Sequence, residues 1–302
     1  MNVLLVYNRN AGTREFRCKE IVALIEGAGH TVRAIRKQDS DLERHLVLPF
    51  DLVVVAGGDG TVTKVARLLI RRPRPFTVLP LGTANNLAHS IGITGPAPAL
   101  IAQWPAADIA SFDAIRVGFA DRECVMFESV GIGLFTEAMC LALSKGSEGR
   151  KISPKKRFDR DFRLLRRMAD TLPSVPCTLD IDGRKFRKNV ILLEIMNARQ
   201  IGSRLVLAPE ATTSDGSLDL VLVSEAQRAR LRRFLHRDPS ADHPPHLPIR
   251  RARRIRISAR TPRVHLDDGI ESLGSGKSSW TLTVEVLPAA LQVLIPNQGG
   301  ES

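Results

Sequence analysis

Short apolar runs separated by stretches with helical periodicity open the chain. Val3–Tyr7, Thr31–Ile35, Leu52–Ala56 and Phe76–Leu79 read as strands, and helices are predicted near Glu15–Glu26, from Thr61 and from Ala84. Leu52-Val53-Val54-Val55-Ala56 has the length and β-branched content of a strand covered on both faces, which is the habit of a parallel sheet. From Ile109 the texture changes. Ile109–Val117 and Glu123–Phe127 read as a hairpin, and apart from helical stretches over Leu134–Leu143 and Arg157–Ala169 the pattern stays strand-rich. Thr178–Ile181, Val190–Met196, Leu218–Val223, Ile255–Ser258 and Trp280–Val286 are its strands. The expected fold is therefore α/β first, with a parallel sheet, and an antiparallel β-rich sandwich second. A chain of 302 residues suits two cores. The expected division is 1–112, 113–290 and a strand and tail over 291–302 returning toward the first domain. The proline-rich stretch Asp238–Pro248 reads as a mobile loop.

Chemistry enters where the second α/β strand pair ends. Leu52–Ala56 runs into Gly57-Gly58-Asp59-Gly60-Thr61, and three glycines within four positions let bare N–H groups approach a ligand. Thr61 is expected to cap a helix carrying Val62, Val65, Ala66, Leu69 and Ile70 on one face, with its positive end toward the turn. Asp59 beside phosphates is repulsive unless a divalent cation lies between, so the turn implies Mg²⁺ together with a nucleotide. Taken alone, the same residues also suit an ordinary strand-to-helix turn with a capping Asp. Leu81-Gly82-Thr83-Ala84-Asn85-Asn86 repeats the arrangement after the next strand, and parallel neighbours end on one sheet edge, so two helix starts face one crevice. Thr83 and Asn85 could bond phosphate or ribose, or cap the helix. Asn8-Arg9-Asn10-Ala11-Gly12 makes a third polar turn after the first strand. A Rossmann-like nucleotide domain is the expectation for the first domain. Gly274-Ser275-Gly276-Lys277-Ser278 ends like a P-loop, but Glu271 stands where that motif needs glycine, and a hairpin loop is the better reading.

Charge narrows the partners. Lys and Arg number 44 against 32 Asp and Glu, a formal +12 that favours an anionic partner. Lys145–Arg167 holds ten basic residues against three acidic ones, punctuated by Phe158, Phe162, Leu164, Leu165 and Met168, as an interfacial segment on anionic lipid would be. Arginine sets over Arg228–Arg237 and Arg250–Arg256 follow; each of the three also suits a solvated face. One Tyr and two Trp leave little for base stacking and no reading motif is present, so nucleic acid is not expected. Cys18, Cys124, Cys140 and Cys177 form no metal or redox spacing and read as reduced thiols. Met1–Val6 begins as a strand without a basic lead, and no apolar stretch matches a membrane span. A cytoplasmic protein, peripherally associated with a membrane, is expected. A homodimer stays open.

The three turns together resemble the catalytic domain of the diacylglycerol kinase family of lipid kinases. The resemblance continues through Asp113, Phe127–Gly133, Ala208-Pro209-Glu210-Ala211, Ser214–Asp219 and Leu287–Leu291, in the family's order over nearly the whole chain. It implies an ATP site in the cleft between an N-terminal nucleotide domain and a C-terminal β-rich domain, and a lipid hydroxyl, diacylglycerol or a relative, as acceptor of the γ-phosphate. By the same resemblance Asn8 to Gly12, Gly57 to Thr61, Gly82, Thr83 and Asn85 contact ATP. Asp59 and Asp113 belong to a carboxylate, water and Mg²⁺ network, and Asp215 with Thr212 and Ser217 holds a structural Mg²⁺; a plain turn aspartate is the other reading of Asp215.

Two departures bear on the chemistry. Asn86 stands where many members carry Asp, and Ile270 follows Asp268-Gly269 where the family places the Glu that accepts the hydroxyl proton. Glu271, one residue on, and Asp268 are the candidate bases; a shift of one residue reverses the face of a strand. The glycines before Pro209 are thinned to Ile201-Gly202-Ser203. NAD kinase, which shares Gly-Gly-Asp-Gly-Thr, and a catalytically silent nucleotide or lipid sensor are the competing readings.

Overall fold

A computed structural model describes residues 1–8, 18–70, 72, 74–82, 84–144, 154–201, 205–236, 247–273 and 278–296, with backbone alone at 154–158. In chain order its elements are β1 (Asn2–Tyr7), α1 (Cys18–Gly27), β2 (Thr31–Arg36), α2 (Leu42–Leu46), β3 (Leu52–Gly57), α3 (Asp59–Leu69), β4 (Pro75–Pro80), α4 (Asn86–Ser90) and α5 (Ala97–Gln103). There follow β5 (Asp108–Gly118), β6 (Glu123–Met126), β7 (Ser129–Gly133), α6 (Leu134–Ser144), α7 (Pro154–Thr171), β8 (Val175–Ile181), β9 (Arg184–Met196), β10 (Gln200–Ile201), β11 (Leu205–Val206) and β12 (Leu218–Ser224). Last come α8 (Arg228–His236), β13 (Ile249–Ala252), β14 (Arg254–Ala259), β15 (Arg263–Leu266), β16 (Gly269–Ser272) and β17 (Trp280–Ile295). The chain divides into two compact units, one of Met1–Ala114, Thr213–Asp215 and the chain from Pro288, the other of Ile115–Thr212 and Gly216–Leu287.

In the first unit the order is β2-β1-β3-β4-β17, every pair parallel, with β17 joining through Gln292 and Val293. Burial explains the apolar runs: Val3 to Val6 and all of β3 are covered. α3 lays Val62, Val65, Ala66 and Leu69 of the expected stripe into the core, whereas Ile70, its fifth member, is the half-buried C-cap residue beyond the helix. Its start differs from the expectation that Thr61 caps it. Gly58, extended at φ −95° and ψ −178°, is the N-cap, and its carbonyl accepts the Thr61 and Val62 amides at 2.8 and 3.2 Å. Thr61 lies inside the first turn, 2% exposed. α4 likewise begins at Asn86, not Ala84, because Asn85 takes the left-handed φ of 51° and breaks the helical path. α2, α5 and α8 were not anticipated.

The second unit is antiparallel, in the order β16-β15-β7-β9-β8-β14-β17, with β12 between β9 and β13 and with the hairpin β5–β6. β9 is long enough to serve β8 and β7 in succession, through Arg184–Val190 and Leu192–Met196, while β12 pairs with it between Val190 and Met196. Alternation along it feeds two cores. Leu193 and Ile195 join Val130, Ile132, Leu220, Ile257 and Val264 in one cluster; Leu192 and Met196 join Leu134, Phe135, Val221 and residues of α7 and α8 in the other. Phe162 and Ala169 are the buried anchors of α7. Arg228 closes that helix, its guanidinium donating to the Ala169 and Leu172 carbonyls at 2.6 and 2.7 Å. The expected loop over Asp238–Pro248, except its last two residues, and the hairpin loop over 274–277 lie outside the described residues.

Candidate active site

The two glycine turns leave one sheet edge because β3 and β4 pair in parallel to their ends, Gly57 opposite Pro80. They then touch. A Cβ on Gly58 would stand 3.0 Å from Gly82 Cα, and one on Gly82 would collide with Gly58 Cα and lie 2.6 Å from Asn85 Oδ1. A Cβ on Gly57 would strike the Thr61 side chain, with Oγ1 at 2.7 Å. Asn85 clasps the second turn: its Oδ1 accepts the Gly82 amide at 2.8 Å, and its Nδ2 donates to the Pro80 and Gly82 carbonyls at 3.2 and 3.1 Å. Its observed role is thus to hold the backbone, through its amide and its left-handed φ.

Asp59 is placed by both turns. It sits in the first turn of α3, only 9% exposed, and its Oδ1 accepts the Leu87 amide in the first turn of α4 at 3.2 Å. Burial pushes its carboxyl above the ordinary aspartate value, against the pull of the amides of Leu87, Asp59 itself, Asn85 and Asn86. One carboxylate is therefore aimed at by two helix starts. Next to Leu87, Asn86 is 2% exposed, and among the described residues its Oδ1 has no hydrogen-bond partner. The Asp59 carboxylate is a hard oxygen donor of the kind Mg²⁺ takes, with the ion's other positions left to waters and phosphate oxygens, and the unmatched amide oxygen of Asn86 lies on the residue whose backbone amide neighbours that carboxylate. Among the described residues no three His, Cys, Asp or Glu side chains group to hold a metal by themselves.

The remaining candidates are dispersed over several elements. The Asn8 amide extends β1 toward β3 by donating to the Ala56 carbonyl at 3.1 Å; Arg9 to Gly12 and Thr83 lie outside the described residues. Asp113 is 1% exposed, and its Oδ1 accepts the Ala289 amide at 2.8 Å, fixing a residue with φ of 49°. Thr212, Asp215 and Ser217 lie on the turn before β12, where Gly216 takes φ +67°. Asp268 is in the β15–β16 turn. Across that hairpin Ile270 pairs with His265 and Glu271 with Val264, so the two stand on opposite faces of β16. Glu271 forms a 2.5 Å ion pair with the Arg122 guanidinium.

Two features of the second unit escaped the sequence reading. Asp267, at φ 49°, gathers the Phe127, Glu128 and Ser129 amides on its carboxylate at 2.8 to 3.2 Å, holding the Phe127–Ser129 turn. Glu194 and His265 form a wholly buried pair, 0% and 1% exposed, with Nε2 2.6 Å from Oε2. Gly131 lies between them in the sheet, opposite Glu194 on one side and His265 on the other. A carboxylate within the apolar run Ile191–Met196 was the available signal.

The basic segment is partly structural. Residues 145–153 and the side chains of 154–158 lie outside the described residues; Arg166 turns inward, donating to the Leu235 carbonyl at 2.6 Å. No helix among the described residues is long and apolar enough to cross a membrane.

Residues 2–117 match the Diacylglycerol kinase catalytic domain, and residues 152–295 the YegS C-terminal NAD kinase beta sandwich-like domain. A diacylglycerol kinase of Mycobacterium tuberculosis is 26% identical, over 93% of this chain and 86% of its own. A probable lipid kinase YegS-like protein of Stenotrophomonas maltophilia is 29% identical, over 74% of each. The crystal structure of a diacylglycerol kinase from Bacillus anthracis str. Sterne shares the fold, with a TM-score of 0.68 at 16% identity, covering 97% of this chain and 96% of that one. The chain thus carries a diacylglycerol kinase catalytic domain over residues 2–117, with the Asp59 turn inside it, followed by a YegS-type β domain over residues 152–295.

Proposed function

We propose that this protein transfers the γ-phosphate of ATP to a lipid hydroxyl, with diacylglycerol as the acceptor. The observation that carries the reading is Asp59, buried where two glycine turns meet and two helices begin, inside a stretch that matches a diacylglycerol kinase catalytic domain. Phosphoryl transfer needs positioning and charge neutralisation more than covalent help from the protein. The amides of Gly58 to Thr61 and the turn at Gly82 would orient the phosphates, with Asn8 to Gly12 and Thr83 completing the nucleotide contacts. Asp59 would hold Mg²⁺. Bound there, the ion neutralises charge developing on the transferred group. Glu271 would take the hydroxyl proton after parting from Arg122, and Asp268 is the neighbouring carboxylate able to do so.

Phosphate transfer from labelled ATP to diacylglycerol, sphingosine and NAD tests the reading. Labelled phosphatidic acid is the expected product. Transfer to NAD alone, or ATP binding without turnover on any acceptor, would replace the lipid kinase by one of its two competitors.

Catalysis on a lipid requires contact with a bilayer, and we propose that the basic segment Lys145–Arg167 supplies it through anionic headgroups. Each cation near such a surface contributes about 1 kcal/mol, so Lys155→Gln/Lys156→Gln/Arg157→Gln should weaken binding to phosphatidylserine vesicles by about 3 kcal/mol. Rising salt should do the same in co-sedimentation. Binding that ignores salt would rule the segment out.

A further inference from the structure

Lys37, one residue past β2, carries an ammonium that the fold has placed beside the first glycine turn. Its amide donates to the Tyr7 carbonyl at 2.9 Å, holding it on the edge from which the β1 and β3 turns also leave. Its Nζ lies 3.8 Å from where a Cβ on Gly60 would be. Lys64, four residues along α3 from Gly60, donates its own Nζ to the Lys37 carbonyl at 2.8 Å and so ties this loop to the helix.

Two cations are thus kept together, and among the described residues neither has a carboxylate partner. Burial and then the Lys64 charge pull the Lys37 amine below the ordinary lysine value, with no neighbouring anion acting the other way. A half-buried ammonium pushed toward a like charge is an arrangement that an incoming anion relieves. Gly60 itself is exposed, and its missing side chain leaves the approach to Lys37 open.

We infer that Lys37 binds the phosphate chain of the nucleotide at Gly60, with Lys64 as the residue that positions it. The inference rests on the nucleotide reading given above and names a residue that none of the turn motifs includes. It also answers an electrostatic need. Asp59 brings negative charge to the phosphates, and Lys37 returns positive charge on the outer side of the same turn.

Binding of ATP, AMP and adenosine to the full chain, by titration calorimetry with and without Mg²⁺, tests it alongside the melting temperature of the unliganded protein. Lys37→Gln should weaken ATP by about tenfold or more, as expected for losing a charge-assisted hydrogen bond, while adenosine binds unchanged and Lys37→Arg retains most of the affinity. Without nucleotide, Lys37→Gln should melt no lower than wild type, since it removes a like-charge contact; the rise in melting temperature on adding ATP should shrink. Equal ATP affinity in wild type and Lys37→Gln would overturn the role of Lys37. A lower unliganded melting temperature with unchanged ATP affinity would make Lys37 a structural residue and overturn it too. Failure of the wild-type chain to bind ATP would refute the nucleotide reading itself, a result distinct from either.

Discussion

Gly131→Ala should cost the protein at least about 3 kcal/mol of stability, a loss set by the buried pair it would disrupt. A Cβ at this position would fall onto the Glu194 carboxyl group. That carboxyl has no room to withdraw: it is fully buried and bound to His265 Nε2 at 2.6 Å. Gly131 is flanked in register by β9 and β15, so β7 cannot slide away without breaking two ladders. Accommodation requires parting Glu194 from His265, and leaving one member of a buried pair alone costs about 3–5 kcal/mol. Against a total stability of about 5–15 kcal/mol that is a large fraction. Denaturant unfolding measures it, and combination with Glu194→Ala sharpens the test. Removing the carboxylate makes space for the new methyl, so the double variant should lose less than the sum of the singles. A single-variant loss under about 1 kcal/mol, or strict additivity, would show that Glu194 is free to move.

The same residues mark where pattern reading stops. The parallel sheet was legible because β1, β3 and β4 are buried on both faces, leaving continuous apolar runs with glycine turns at their ends. Core strands β9 and β12 were legible for the same reason. The Glu194–Gly131–His265 row was not, since it joins positions far apart in sequence through a register that no local signal encodes. Short elements such as α2 and α8 lack the length over which periodicity speaks. Around the site, Asp59 was legible from the strand-to-helix turns. The start of α3 two residues earlier was not, because glycines that read as a turn also form its cap and first turn. Asn85 was read as a contact to phosphate or ribose or as a helix cap; it stands at the N-cap of α4 without a side-chain cap bond, and its side chain clasps the turn where Gly58 and Gly82 approach closely. The choice between positions 270 and 271 was read as a matter of one-residue parity, and in β16 Ile270 lies with His265 and Glu271 with Val264.

Asp59→Asn should lower phosphate transfer by about a hundredfold to a thousandfold or more while leaving the fold intact, and the two outcomes have separable physical origins. On the proposed reading transfer fails because the negative charge that would attract Mg²⁺ is gone. Folding survives because the asparagine Oδ1 can still accept the Leu87 amide that the carboxylate now holds at 3.2 Å. Two terms compete in the stability. Losing a charge-assisted acceptor at a helix start costs about 1 kcal/mol. Opposing it, burial has raised the folded-state value of Asp59 above its ordinary 3.8. A carboxyl raised on folding contributes stability that is complete below the unfolded value and is lost as pH climbs through the folded one. At neutral pH the ionised Asp59 is therefore a standing burden on the fold, which Asp59→Asn removes. Its stability relative to wild type should improve as pH rises from 3.8 through the raised value, measured by unfolding across that window. Activity depends on the same ionised form, so on the proposed reading the loss of transfer and the relief of the unliganded fold come from removing one charge. An Asp59→Asn enzyme with wild-type turnover would remove Asp59 from the chemistry. A variant whose relative stability falls across the same window would instead show that the amides around this carboxylate outweigh its burial.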